Sequence, residues 1–423
     1  MKIIIVVGAR PNFMKAAPIL DTISRRNASL RNGSEKIQPV LVHTGQHYDA
    51  AMSDAFFSDL NLPQPDTFLG VGSGSHAAQT AEIMKRFEEV LLREQPDIVI
   101  VVGDVNSTMA CALVAAKISY NAEGHRPLIA HVEAGLRSFD RSMPEESNRV
   151  VTDHLSDLLF VTEESALKNL EREGIPKERV FFVGNTMIDS LRTFEGKAAQ
   201  SKILERVGIS AKNGNNGSTQ PGTPYVLLTL HRPANVDRRE TFLEILEGIW
   251  DVATSYPTIF PTHPRTQKQI VQHKLESYFT FPERDSRGSG QERQTKAITV
   301  VEPQGYLDFV CLMKHARLVI TDSGGIQEET TCLGVPCVTV RENTERPVTL
   351  TSGTNVLGGT RRDSIRDAIQ RQLVRNHKTV IPEMWDGKAS TRIIEILTAR
   401  KDLQKRNVLQ ASRVDDAATS SRN

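Results

Sequence analysis

From its second residue the chain alternates short, continuous apolar runs with stretches whose apolar residues recur at helical spacing. The runs fall at 2–7, 39–43, 97–102, 127–132, 158–161 and 180–183, and helical patterns occupy 13–26, 77–93, 107–117 and 145–155. A run that is apolar at every position buries both of its faces, which a parallel sheet covered by helices on each side provides. After Gly184 the rhythm restarts, with strands expected at 225–230, 258–261, 298–301, 318–321 and 337–340 and helices at 242–254 and 307–315. The expected class is α/β, with two Rossmann-like domains facing each other across a cleft. Ligands of such folds lie beyond the C-terminal ends of the strands, so the site should be interdomain.

A chain of 423 residues with 39% hydrophobic content can bury two such cores. Stretches rich in polar residues at 32–35, 212–223 and 282–295 read as solvated loops or insertions, and the first of these, with the tail beyond about Arg400, as mobile. Lys and Arg number 52 against 51 Asp and Glu, a net charge of +1, so nothing draws the whole molecule to nucleic acid or an anionic membrane. An anionic ligand must be held locally. The opening apolar run is too short for a signal segment or a span, which points to the cytoplasm. Cys111, Cys311, Cys332 and Cys337 show neither CxxC spacing nor a neighbouring His pair, so they read as reduced, buried thiols rather than metal ligands.

The chemistry should gather where strands end. The first run leads into Gly8-Ala9-Arg10-Pro11-Asn12-Phe13-Met14-Lys15, which lacks the GxGxxG spacing of a dinucleotide site. A nicotinamide cofactor is disfavoured, whereas Arg10 and Lys15 flank a helix N-terminus suited to an anion. In the second half, 318–321 runs into Asp322-Ser323-Gly324-Gly325, where glycines let phosphate oxygens approach backbone N–H groups and Ser323 adds a hydroxyl. Glu329, further along that helix, is placed for ribose hydroxyls. Asp104, Glu133 and the Glu145-Glu146 pair follow strand ends of the first half and should converge on one rim. Glu145 also stands four residues before Arg149, a spacing that permits an ordinary helix ion pair. His231, immediately after 225–230, faces these carboxylates if the domains close.

Taken in order, GARPNFMK, HTGQHYD, VGD, HVEAGLRS, MPEESNR, VGNTMID, TLHRPAN, TDSGGIQEE and ENTERP resemble the non-hydrolysing UDP-N-acetylglucosamine 2-epimerase family from about residue 1 to about residue 398. The resemblance implies a glycosyltransferase-B-like fold. Its first domain would be 1–184, joined by a crossover helix from about 380–398, its second the UDP-binding domain 185–379, and its end a mobile tail at 400–423. It also implies a UDP-binding set of Arg10, Gln304, Phe309, Ser323, Gly324, Gly325, Glu329 and Arg346, with Phe309 against uracil and Gln304 at the base edge. Lys15, Asp104, Glu133, Glu145, Arg149 and His231 would surround the sugar, with Asp104, Glu133, Glu145 and His231 catalytic. Gln46 and His47 fall where bacterial relatives bind a second UDP-N-acetylglucosamine as activator. The chain departs from relatives after His231-Arg232, where Pro233-Ala234-Asn235 replaces an acidic residue followed by Asn.

Carbon 2 of the sugar has no adjacent carbonyl, so the expected route is elimination of UDP to 2-acetamidoglucal and re-addition, needing neither redox cofactor nor metal. The implied partners are a UDP-sugar substrate, a second such molecule as activator, and another copy of the chain in a homodimer. The implied pathway role is a mannosamine donor for surface polysaccharide. A related substrate such as UDP-2,3-diacetamido-glucuronic acid, a hydrolysing epimerase and a retaining glycosyltransferase are rivals on the same fold. A non-catalytic nucleotide-sugar sensor is disfavoured, because strand-end carboxylates facing a diphosphate weaken binding unless they serve chemistry.

Overall fold

The structure, a computed structural model, describes residues 1–30, 36–46, 57, 59–209, 211–213, 219–282, 298–374 and 380–400, with only the backbone of Arg10, 211–213 and 219–221. The first sheet comprises β1 (Lys2–Val7), β2 (Gln38–His43), β3 (Thr67–Phe68), β4 (Ile98–Val102), β5 (Leu128–Ala134), β6 (Leu158–Val161) and β7 (Val180–Phe182). Their order is β3-β2-β1-β4-β5-β6-β7, all parallel, with Ile4 of β1 between Val40 and Val99. Every residue of β4 is buried, as its unbroken Ile-Val sequence requires.

A small antiparallel hairpin follows, β8 (Ala211–Asn213) with β9 (Thr219–Pro221), in a stretch whose composition had suggested only a loop. The second sheet contains β10 (Val226–Thr229), β11 (Thr258–Pro261), β12 (Phe279–Thr280), β13 (Ile298–Val301), β14 (Leu318–Thr321), β15 (Cys337–Thr339) and β16 (Asn355–Leu357). Their order, β12-β13-β11-β10-β14-β15-β16, is again wholly parallel. Each sheet reverses its winding once, between β1 and β4 in the first and between β10 and β14 in the second. Ligands of doubly wound sheets bind at such switch points.

One apolar cluster joins the halves, running from Ile3, Ile5 and Ile100 through Ile188 and Leu191 to Leu227 and Val319. Ile188 and Leu191 lie on helix Thr186–Ala198, which packs against both halves. Its buried Asp189 accepts from the Ser390 N–H and hydroxyl at 2.7 Å, fixing the start of helix Ala389–Ala399. That last helix lies on helix Arg10–Ser29, with Thr22 and Ser390 hydroxyls 3.0 Å apart, and the Trp385 indole donates to the Thr162 carbonyl. All four cysteines are buried. Among the described residues no helix is long and apolar enough to cross a membrane. The segments 32–35 and 401–423, and almost all of 282–295, lie outside the described residues.

Candidate active site

The first switch point is built around Asn12. Its carboxamide oxygen accepts from the Gly8 and Ala9 N–H groups at 3.1 and 3.0 Å, and its amide donates to the Val102 carbonyl at 2.9 Å. The end of β1 is thereby tied to the end of β4 and the first turn of helix Arg10–Ser29 is set. One turn on, Lys15 lies under the end of β5, its ammonium 2.6 Å from Glu133 Oε2, with both side chains almost wholly buried. Glu133 occupies a β-bulge, where the β5–β6 register slips between Val132 and Ala134, and its φ is +78°. A left-handed non-glycine residue is strained, and a bulge re-aims a side chain, so the backbone is shaped to present this carboxylate.

Arg149, from helix Pro144–Leu155, donates from Nε and Nη2 to Asp104 Oδ2 at 3.0 and 2.6 Å. Burial alone would raise the Asp104 carboxyl, but Arg149, Lys15 and Arg346 outweigh it and hold the group below its usual range. The ion pair that sequence spacing permitted for Glu145 is made instead by Glu146, whose Oε2 lies 2.6 Å from Arg149 Nη1. Glu146 also accepts from the Ser138 and Phe139 N–H groups, so it braces the preceding loop. Glu145 is half-buried and makes no ion pair among the described residues.

Arg346 comes from the other half and closes the seam. Its guanidinium donates to Glu133 Oε1 at 3.1 Å, lies 2.9 Å from Glu328 Oε1, and pairs with Glu345. Glu345 also takes Arg341 at 2.7 Å and lies 3.9 Å from Arg149 and from Arg232. Despite complete burial, Arg346, Arg341 and Arg149 keep its carboxyl well below the ordinary range. Glu328 behaves oppositely, because burial outweighs the pull of Arg346 and pushes it up to about 8. Burial likewise lifts nearby Glu163 to about 7. Two carboxylates that sequence did not single out, Glu328 and Glu345, thus join Asp104, Glu133 and Glu146 in the cluster.

At the second switch point His231 follows β10. Its ring Nδ1 lies 2.8 Å from Asp322 Oδ1, with the His231 side chain 56% exposed and Asp322 wholly buried. Asp322 also accepts from the backbone N–H groups of His231 and Arg232 and from the Asn235 amide, which fixes the turn. Burial would raise the Asp322 carboxyl, but His231 and these hydrogen bonds hold it down. Asn235, part of the sequence departure after Arg232, is therefore committed to this turn.

Ser323 occupies the N-cap position of helix Gly324–Leu333 in an extended conformation, its hydroxyl making no capping hydrogen bond among the described residues. A Cβ on Gly324 would lie 2.5 Å from Arg346 Nη1, and one on Gly325 would lie 2.8 Å from Met187 Cε. Gly324 is required by close approach, Gly325 abuts the flexible end of Met187, and the helix N-terminus opens beside Arg346, a suitable place for phosphate oxygens. Glu329 is buried and accepts from the Tyr306 hydroxyl at 3.0 Å. Phe309 packs at the edge of the joining cluster, and the half-buried Gln304 donates to the Glu302 carbonyl at 2.5 Å. Gln46 is buried, its carboxamide oxygen capping Ser107 N at 2.9 Å and accepting from Ser107 Oγ at 2.7 Å. His47 and the Arg10 side chain lie outside the described residues. Among those residues, no three His, Cys, Asp or Glu side chains are grouped to hold a metal ion.

Two doubly wound parallel sheets with charged side chains gathered at both switch points define an α/β protein of glycosyltransferase-B-like architecture, with a candidate site where its halves meet. The sequence model of the family described as UDP-N-acetylglucosamine 2-epimerase matches residues 30–398. A UDP-N-acetylglucosamine 2-epimerase of Methanocaldococcus jannaschii is 40% identical over 407 residues, covering 95% of this chain and all of that one. A UDP-2,3-diacetamido-2,3-dideoxy-D-glucuronate 2-epimerase of Pseudomonas aeruginosa is 36% identical over 94% of this chain and 99% of that one. The crystal structure of the M. jannaschii UDP-GlcNAc 2-epimerase, in complex with UDP-GlcNAc and UDP, superposes with a TM-score of 0.79 at 39% identity, covering 94% of this chain and all of that one. The chain belongs to the UDP-N-acetylglucosamine 2-epimerase family.

Proposed function

We propose that this protein interconverts UDP-N-acetylglucosamine and UDP-N-acetylmannosamine without hydrolysis. The observation that carries the reading is the cluster at the seam, where Asp104 and Glu133 of one half meet Arg346, Glu345 and the Gly324-Gly325 helix N-terminus of the other. The bond between carbon 1 and the UDP oxygen breaks, and its electron pair leaves with UDP. A carboxylate takes the proton from carbon 2, and the carbon–hydrogen electrons form the double bond of 2-acetamidoglucal. Re-addition of UDP to carbon 1, with proton delivery to the opposite face of carbon 2, completes the inversion. No net oxidation occurs, and no cofactor enters the balance.

In this reading Asp104, Glu133 and Glu145 supply base, acid and support for the cationic transition state, while Arg10, His231, Ser323, the Gly324 and Gly325 amides and Arg346 stabilise departing UDP. Lys15 and Arg149 hold the carboxylates and sugar, Glu329 the ribose, Gln304 and Phe309 the uracil. Residues 1–184 with 380–398 act as the sugar-handling domain and 185–379 as the UDP-binding domain. We take the enzyme to be a cytoplasmic homodimer supplying a mannosamine donor for surface polysaccharide, with a second UDP-N-acetylglucosamine near Gln46 and His47 as activator. These four attributes rest on family resemblance.

The test is a proton NMR time course in heavy water with UDP-N-acetylglucosamine alone. Expected are UDP-N-acetylmannosamine carrying deuterium at carbon 2, with transient glucal and UDP. Inversion without deuterium excludes the route. The 36% identical glucuronate epimerase favours a second substrate reading, UDP-2,3-diacetamido-glucuronic acid, which a parallel incubation distinguishes.

A further inference from the structure

We propose that the buried His131–Asp153 pair is a positioning device that holds Glu133 and Asp104 in register for proton transfer; this rests on the epimerase reading above. Both side chains are fully buried, and His131 Nδ1 lies 2.7 Å from Asp153 Oδ1. The other ring nitrogen, Nε2, lies 2.8 Å from the Gly103 carbonyl oxygen. A carbonyl only accepts, so Nε2 carries a proton there. Asp153 Oδ2 accepts from the Gly135 N–H at 3.0 Å and from Arg137 at 2.8 Å. Burial would raise the Asp153 carboxyl, but His131 and then Arg137 more than offset this and leave it below its usual range. The ring thus bridges Asp153 and the Gly103 carbonyl, one nitrogen to each.

The consequence lies in what the pair spans. Glu133 is the strained bulge residue, and Asp153 grips the chain on either side of it, through the His131 ring before and the Gly135 N–H after. The second arm of the same ring grips Gly103, directly before Asp104. One buried His–Asp pair thus sets the spacing of two carboxylates on neighbouring strands. Arg137 anchors it further through Glu173, at 2.7 Å from both Nε and Nη2. Among the described residues neither His131 nor Asp153 hydrogen-bonds or ion-pairs with Lys15, Arg149 or Arg346, the partners of those carboxylates, so the pair acts through backbone placement.

Wild type, His131→Ala, His131→Gln and Asp153→Asn are compared for epimerisation. Displacement of reacting groups by about an ångström lowers rate on the order of 10²-fold. His131→Ala and Asp153→Asn should therefore lose kcat by roughly 30-fold or more, with KM held within about threefold because the UDP contacts remain. Gln reaches as far as Nε2 and can still donate to Gly103, so His131→Gln should recover part of the lost kcat. Folded His131→Ala with unchanged kcat overturns the proposal, as does His131→Gln no better than His131→Ala. If the variants do not fold, ¹⁵N-histidine NMR of the wild type decides, since a His131 Nε2 without an exchange-protected proton also overturns it. Wild type inactive on UDP-sugars would instead sink the epimerase reading, leaving the NMR test of the pair intact.

Discussion

Arg346 and Glu133, 213 positions apart in sequence, meet at 3.1 Å across the seam between the two sheets. Each is nearly wholly buried, and Glu133 is held on its other oxygen by Lys15 at 2.6 Å. Glu133→Gln keeps the shape but removes the charge that two buried cations share. Truncating one partner of a buried pair costs about 3–5 kcal/mol, and a polar isostere should fall at the low end of that range. Turnover should fall by roughly 10²-fold or more, as for loss of a general acid or base. Arg346→Gln combined with Glu133→Gln should be less damaging than the two single losses added, a coupling of about 1–3 kcal/mol. Strict additivity in denaturant melts of the four proteins would show that the contact is incidental.

Asp322 orients His231 by both its ring and its backbone N–H. Because the ring is otherwise more than half exposed, little else fixes its direction. Asp322→Asn should lower kcat by roughly 10–10²-fold, since a misdirected imidazole loses its role while remaining present. The kcat of His231→Ala should then be little changed by adding Asp322→Asn. A further large drop in the double variant would mean that Asp322 serves the site without His231.

Gly324 and Gly325 differ in what surrounds them, and that difference predicts unequal effects. A methyl at 324 strikes the Arg346 guanidinium, itself clamped by Glu133, Glu328 and Glu345, whereas one at 325 strikes the mobile end of Met187. Overpacking against an immovable group costs about 1–3 kcal/mol. Gly324→Ala should therefore raise KM for the UDP-sugar by roughly 10-fold, equivalent to about 1.4 kcal/mol. Gly325→Ala should be milder and should recover when Met187→Ala is added. Substrate saturation curves for the three variants decide the ordering.

Much of the fold was legible because its strands are continuous apolar runs, and β4 and β14 occur close to where their sequences announce them. The strands that escaped are short and marginal: β3 has two residues with an exposed Phe68, and β12 and β16 are two and three residues long. The hairpin of β8 and β9 escaped because its sequences, Ala-Lys-Asn and Thr-Gln-Pro, contain no apolar run to mark it. Within the site, motif positions singled out Asp104, Glu133 and Arg346 individually. Their partnerships were invisible, because Asp104 meets Arg149 only once the first half has folded, and Glu133 meets Arg346 only when the two halves pack together. The choice between Glu145 and Glu146 as the partner of Arg149 turned on helix phase: spacings of three and four both permit the pair, and only the three-residue partner faces inward. His131 gave no signal at all, since a histidine inside a strand reads as core until its two acceptors are seen.

Glu328 makes a prediction about pH. Burial holds its carboxyl at about 8, far above the ordinary 4.5, so the native state keeps a proton that the unfolded chain has already released at neutral pH. The unfolded state therefore binds fewer protons between these limits, and this group's stabilising contribution is lost as pH rises from near 4.5 through 8. Glu163, lifted to about 7, contributes with the same sign. Glu328→Gln mimics the protonated carboxyl at every pH and should remove the larger share of the loss. The wild type should lose up to a few kcal/mol between pH 5 and 8.5 relative to the variant, as a shift of several pKa units implies. Urea midpoints measured across that interval give the answer: the gap between variant and wild type should widen with pH and level off above about 8. Parallel curves would place Glu328 as a carboxylate already ionised in the native cluster, balanced by Arg346.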